Sequence, residues 1–490
     1  MTYKKCFKLF KFIFCYLVIF YITEVHTETF GIFDKSNYKH IEVGKKRKKR
    51  SSHRKTISTN NQRKNLKIVN IVAKSLPFTT IQEKIINPLK SKQSSAIQVN
   101  AYLDPRSALD NQKVQFLTPF GQVQWGDIEK KMYQKDDKMY AFYNGYKLQL
   151  SLIPKLQEAC TKNLGSSRIL DGATVVIEPR TGRVLAMCQS QTSKTNSFPT
   201  SARAPAASLI KIITASAAIE KNQLSPFDSI FFRGGCSTLH HENWISDPKL
   251  DTQFLTFAQA FGRSCNTVFA RLALYDAGLS SLKIYAEKYM FNHPIPSDFR
   301  IQTSQFVLPE SESATAQEVA EAGAGFGATK LSPIHAALLS ATIQNKGLMM
   351  APYIVDIAFN SNGQEIYRAQ SVKINQIILP QTADKIQTLM QETISSGTSR
   401  RAFHKKGTRY EIDEIGGKTG TLLDPENRDV LYTWFSGIAP INSPSSIAIG
   451  TVVASFQNYV VRANNVAQTT LAEYFRIEKN NGVLTGKHND

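Results

Sequence analysis

Ser208 and Lys211 stand three residues apart in Ala206-Ala207-Ser208-Leu209-Ile210-Lys211, and residues 212–220, which follow, are apolar almost all the way round. A helix without a polar face has to run through the middle of a domain, because no side of it can be left to water. On such a helix residues three apart share a face, so the hydroxyl and the amine lie within hydrogen-bonding reach. Burial disfavours the ammonium form of the lysine. A serine beside an uncharged amine at a helix start is a nucleophile with its own base, and the positive end of the helix dipole favours a developing oxyanion.

The spacing alone is not decisive, since Ser280 and Lys283 repeat it. Two further short motifs follow in order, Ser264-Cys265-Asn266 and Lys418-Thr419-Gly420-Thr421. Ser58-Thr59-Asn60 repeats the Ser-x-Asn pattern by chance, whereas Lys-Thr-Gly occurs once.

The charge of +21 would suggest a polyanion as partner, but it is unevenly placed. Residues 1–70 hold 17 Lys and Arg against 4 Asp and Glu, so the basic character belongs to a tail. A nucleic-acid partner for the whole chain is not indicated. The chain opens with four lysines ahead of an uncharged run, 12–22, which is short for a membrane span and has the pattern of an export signal. Residues 23–27 lack small residues at the usual cleavage spacing, so residues 1–27 are expected to be a signal peptide or a signal anchor. Residues 28–100 read as a basic, mostly disordered linker, and its run Lys45-Lys46-Arg47-Lys48-Lys49-Arg50 could also lie on anionic lipid. Aromatic and apolar residues return over 101–145, as expected of a small pedestal.

Of six cysteines, Cys6 and Cys15 fall in the export segment. Cys160, Cys188, Cys236 and Cys265 show no zinc-site spacing. A bridge between Cys160 and Cys188 is one option in an oxidising compartment, and the pairing stays open.

From Tyr146 the residues alternate like a strand, Pro154 stops it, and 155–164 has helical spacing. The β-rich runs 172–178 and 183–187, joined by Pro179-Arg180-Thr181-Gly182, predict a hairpin. Two more strands are predicted at 433–439 and 447–454, and a closing helix at 467–477. Strands at both ends of a helical middle predict an α+β fold, an antiparallel sheet packed with helices and carrying a helical subdomain.

The three motifs, in this order, resemble those of penicillin-binding proteins and serine β-lactamases. Further agreements are Gly325-Phe326-Gly327, Leu331-Ser332-Pro333-Ile334-His335, Ile343-Gln344-Asn345-Lys346-Gly347 and Trp434-Phe435-Ser436-Gly437. With these, residues 146–480 look like a penicillin-binding transpeptidase domain, followed by a polar tail at 481–490. The resemblance implies that Ser208 attacks a D-Ala-D-Ala peptide, with Lys211 as its base. It implies that Ser264 relays the proton, that Asn266 holds the substrate amide and contacts Lys211, and that Lys418 carries a positive charge near Ser264. It further implies that Thr419, Gly420 and Thr421 bind substrate, and that the backbone N–H groups of Ser208 and Thr421 form the oxyanion hole. No cofactor or metal is implied. The implied partners are peptidoglycan stem peptides, β-lactams, the membrane through the N-terminal segment, and proteins of cell-wall synthesis. The implied location is outside the cytoplasm, anchored to the membrane or secreted if the signal is cleaved.

The chain departs from the family in two places. Ala206-Ala207 stands where Pro-Gly usually precedes the nucleophile, and Cys265 introduces a thiol near the site. The stretch between residues 27 and 146 is too short for a glycosyltransferase domain, so a single catalytic activity is expected. Water in place of an amine acceptor would make the protein a D,D-carboxypeptidase or a β-lactamase-like hydrolase. A catalytically silent β-lactam-binding scaffold is the reading from another class.

Overall fold

A central sheet with helices on both faces carries the candidate site at one edge. In the computed structural model, residues 118–480 are described, apart from 194, 311–312 and 405–413. The expected signal, linker and C-terminal tail, and the part of the pedestal before residue 118, lie outside the described residues.

The strands of two five-stranded antiparallel sheets run in chain order as β1 (Tyr133–Lys135), β2 (Lys138–Tyr143), β3 (Tyr146–Leu150), β4 (Asp171–Ile177), β5 (Val184–Gln189), β6 (Val355–Phe359), β7 (Glu365–Arg368), β8 (Gly416–Leu423), β9 (Val430–Ala439) and β10 (Ile447–Phe456). The helices used below are α1 (Pro154–Asn163), α2 (Lys211–Asn222), α3 (Phe257–Gly262), α4 (Asn266–Arg271), α5 (Ala316–Ala324), α6 (Pro333–Gln344), α7 (Pro380–Ser395) and α8 (Ala463–Asn480).

The central sheet has the order β8-β9-β10-β4-β5. Every residue of β4 is buried, because successive side chains alternate between two apolar layers. Ala173, Val175 and Ile177 join a core that includes Ile212 of α2 and Ile334 of α6. Val176 joins a second core with Leu156 of α1 and Val466 and Leu471 of α8. Two covered faces explain why these strands read as nearly continuous apolar runs. Gly450 is where α6 meets the sheet, since a Cβ there would lie 2.4 Å from the Pro333 carbonyl oxygen.

The second sheet has the order β1-β2-β3-β6-β7. Ala141 pairs with Leu148 and Leu148 with Ala358, so the strand at 146 belongs to the pedestal's sheet, together with a strand from far along the chain. Asn144 and Gly145 turn the β2–β3 hairpin with φ of 50° and 81°, the left-handed pair that a two-residue hairpin loop requires.

Candidate active site

The chain enters α2 through a 3-10 turn, Ala207–Ile210, so Ser208 and Lys211 lie on one continuous helical path. Ala207 takes φ 50°, a left-handed conformation that a residue with a Cβ adopts at a cost of about 1–2 kcal/mol. The turn is held there from two sides. A Cβ at Gly325, the left-handed cap of α5, would lie 2.3 Å from the Ala207 carbonyl oxygen, and one at Gly420 would lie 3.3 Å from the Ala207 Cβ.

Lys211 is fully buried. Its Nζ donates to Asn266 Oδ1 at 2.8 Å and to the Ala324 carbonyl oxygen, it lies 2.8 Å from Ser208 Oγ, whose hydroxyl can donate to the neutral amine, and it sits 5.6 Å from the centre of the Phe269 ring. Burial above all, and then the charge of Lys418, hold the ammonium well below the ordinary lysine range. The arrangement is that of a hydroxyl against an amine biased to its neutral form.

Ser264 follows α3 with φ 57°. Its N–H donates to the Phe261 carbonyl oxygen at 3.0 Å and the Cys265 N–H to that of Ala260 at 2.8 Å. These two bonds make a Schellman cap with serine where glycine is usual, and the cap sets the direction of the Ser264 hydroxyl. Two residues after Ser264, Asn266 starts α4. Its N–H donates to the Cys236 carbonyl oxygen and its Nδ2 to that of Ser237, both at 2.7 Å, which leaves Oδ1 facing Lys211.

Lys418 comes from β8, the edge strand of the central sheet, and is also fully buried. Its Nζ donates to Ser264 Oγ at 2.9 Å and to the Thr419 carbonyl oxygen at 2.8 Å, and burial lowers its pKa to about 7. Thr419 Oγ1 lies 2.6 Å from Thr398 Oγ1. Gly420 pairs with Trp434, whose indole N–H donates to the Pro205 carbonyl oxygen at 2.8 Å and ties the approach to the serine turn onto the sheet. Thr421 is exposed on the same edge strand.

Ser208, Lys211 and Asn266 thus form one hydrogen-bonded group, and Ser264, Lys418 and Thr419 a second beside it. Thr398, the Ala324 carbonyl and the Ser237 carbonyl are members that sequence reasoning missed. Only Thr398 has a side chain to signal it, in Ser396-Gly397-Thr398-Ser399. The expected Cys265 thiol is corrected: Cys265 is bonded to Cys236, and a second disulfide joins Cys160 of α1 to Cys188 of β5. Among the described residues no group of three or more His, Cys, Asp or Glu is placed to hold a metal ion.

Residues 172–470 match the family model described as the penicillin binding protein transpeptidase domain. The chain belongs to this family. Among its relatives, the peptidoglycan D,D-transpeptidase PbpA of Mycolicibacterium smegmatis is 25% identical over 350 residues, which cover 63% of this chain and 67% of that protein. PbpA of Mycobacterium tuberculosis is 26% identical over 346 residues, covering the same shares. The same fold occurs in the D,D-transpeptidase domain of a peptidoglycan glycosyltransferase from Eggerthella lenta, with TM-score 0.55, 23% identity, and 68% of this chain and 83% of that one covered. It occurs again in the penicillin G acyl-enzyme complex of penicillin-binding protein A from M. tuberculosis, with TM-score 0.52, 20% identity, and coverage of 67% and 80%. In this chain the transpeptidase domain's match begins in β4 and ends in α8, so β1, β2 and β3 precede it.

Proposed function

We propose that this chain is a serine-type D,D-transpeptidase that cross-links peptidoglycan, acting outside the cytoplasm on stem peptides that end in D-Ala-D-Ala. The observation that carries the reading is the buried Lys211 amine, held below its ordinary pKa and 2.8 Å from Ser208 Oγ.

In this reading Ser208 Oγ attacks the carbonyl carbon of the penultimate D-Ala while Lys211 accepts the hydroxyl proton. The backbone N–H groups of Ser208 and Thr421 receive the oxyanion, each contributing about 3–4 kcal/mol to lowering the barrier. Ser264, bonded to Lys418, passes a proton to the leaving D-Ala amine. The Lys418 cation and the Thr419 hydroxyl bind the substrate carboxylate. Gly420 keeps the edge of β8 open for a peptide to lie alongside as an added strand. An amine of a second stem peptide then attacks the acyl carbonyl and releases Ser208. β-Lactams acylate the same hydroxyl, a reading supported by the acyl-enzyme complexes formed by the related penicillin-binding protein A. Residues 1–27 anchor or export the protein, 28–100 link them to the pedestal, and 146–480 carry the catalysis.

The test is intact-mass spectrometry after treatment with a labelled penicillin. One adduct per chain is expected, mapped to Ser208 and absent from Ser208→Ala. Label retained by Ser208→Ala would overturn the assignment.

A further inference from the structure

We infer that the Cys236–Cys265 disulfide is a positioning element for acylation, and that its reduction lowers the rate at which Ser208 is acylated; this rests on the transpeptidase reading above. Cys265 is the middle residue of Ser264-Cys265-Asn266, so the bridge is attached between a residue bonded to Lys418 and one bonded to Lys211.

What the bridge holds is the segment that orients Asn266. The Cys236 carbonyl accepts from the Asn266 N–H at 2.7 Å, the Ser237 carbonyl from Asn266 Nδ2 at 2.7 Å, and the Gly235 carbonyl from Thr267 Oγ1 at 2.6 Å. An amide side chain has an acceptor end and a donor end of nearly the same shape. The Ser237 carbonyl accepts only from the donor end, which turns Oδ1 toward Lys211. Yet Gly235, Ser237 and Thr238 are exposed, and hydrogen bonds at an exposed edge open readily. The covalent link keeps this segment against α4. With the link cut, Asn266 is free to turn its donor end to Lys211, which then loses an acceptor and its aim at Ser208. Ser264, already in a left-handed conformation, loses the anchor on its neighbour.

The two disulfides differ in access. Cys160 and Cys188 are 0% and 1% exposed, whereas Cys236 is half-buried between exposed residues. A dithiol therefore reaches Cys236 first. Its thiolate attacks Cys236 Sγ, Cys265 leaves as the thiolate, and the second thiol resolves the mixed disulfide. The dithiol is oxidised to its own disulfide, and its two electrons and two protons leave Cys236 and Cys265 as thiols.

The experiment treats the full chain with graded dithiothreitol and maps the opened cysteines by alkylation. On the same samples it measures acylation by a fluorescent penicillin and the melting transition. Cys236 and Cys265 are expected to open before Cys160 and Cys188, and acylation to fall about tenfold or more. Melting should stay above the assay temperature, and reoxidation with oxidised glutathione should restore the rate. Cys236→Ser should show the low rate without any reductant and no further response to it. An unchanged rate with Cys236 and Cys265 opened, or a loss of rate only in step with loss of the fold, would overturn the inference. No label on the fully oxidised protein would overturn the transpeptidase reading along with it.

Discussion

Lys211 and Lys418 are two lysine side chains buried within one site, and each is tolerated because its amine has oxygen partners. Lys211 has Ser208, Asn266 and Ala324, and Lys418 has Ser264 and the Thr419 carbonyl. Desolvation favours the neutral amine at both positions, and at Lys211 the Lys418 charge adds to it. This asymmetry separates their work: one amine accepts a proton, while the other, near pKa 7, gains charge when a carboxylate docks against it. Lys211→Met keeps the side chain's length and removes the base. Its acylation rate by a fluorescent penicillin is expected to fall about 10²–10⁴-fold while the protein stays folded. A rate within threefold of the parent would show that another group takes the Ser208 proton.

Among the elements, α4 connects the site to the small hairpin formed by Ser229–Phe232 and Gln253–Thr256. Asn266 begins the helix and Arg271 ends it. The Arg271 guanidinium is buried and holds both oxygens of Asp251, at 2.6 and 2.9 Å, and it also donates to the carbonyls of Phe231, Asn243 and Ile245. Those bonds keep the Asp251 carboxyl below its usual range, with Arg271 as the main cause. Removing the cation would leave the buried Asp251 carboxylate with the Asp247 N–H, the Ser246 hydroxyl and the more distant Arg233, and would take from three carbonyls the donor they share. Arg271→Ala is therefore expected to cost about 3–5 kcal/mol, read as a lower urea midpoint, and Arg271→Ala with Asp251→Ala to recover part of the loss. An unchanged midpoint for the single variant would remove Arg271 as the tie between α4 and the hairpin.

For the whole molecule, burying amines in neutral form makes stability depend on pH. Below about pH 7 Lys418 is protonated both folded and unfolded, and the cost of burying its charge is paid in full. Between about 7 and its ordinary value of 10.5 the unfolded chain binds a proton that the folded one does not, so stability climbs with pH. Lys211 acts in the same direction. Asp298 works at lower pH: burial raises its carboxyl to about 7, so its effect is a loss of stability as pH rises from about 4 to 7. The urea midpoint is expected to be higher at pH 9 than at pH 7, and Lys418→Met to weaken that rise. A midpoint that falls between pH 7 and 9 in the parent protein would contradict both lysines being buried as amines.

Local order was enough to find much of this. The Ser208–Lys211 spacing, the strands around residues 175, 435 and 450, and the α+β class follow from periodicity and turn residues, which act between neighbours in the chain. The closing helix was found but begins earlier than expected, at Ala463, because its first turn carries two asparagines, and its burial comes from packing that the local sequence does not show. Other features were settled only by packing. Tyr146–Leu150 alternates as any strand does, and nothing local says that its partner is Val355–Phe359. The Cys236–Cys265 pairing, the left-handed φ of Ala207 and Ser264, and the backbone carbonyls that aim Lys211 and Asn266 belong to contacts between segments far apart in sequence. A side chain announces its chemistry in the sequence, but a carbonyl oxygen is the same at every residue, and only the tertiary fold decides which one a buried amine or amide meets.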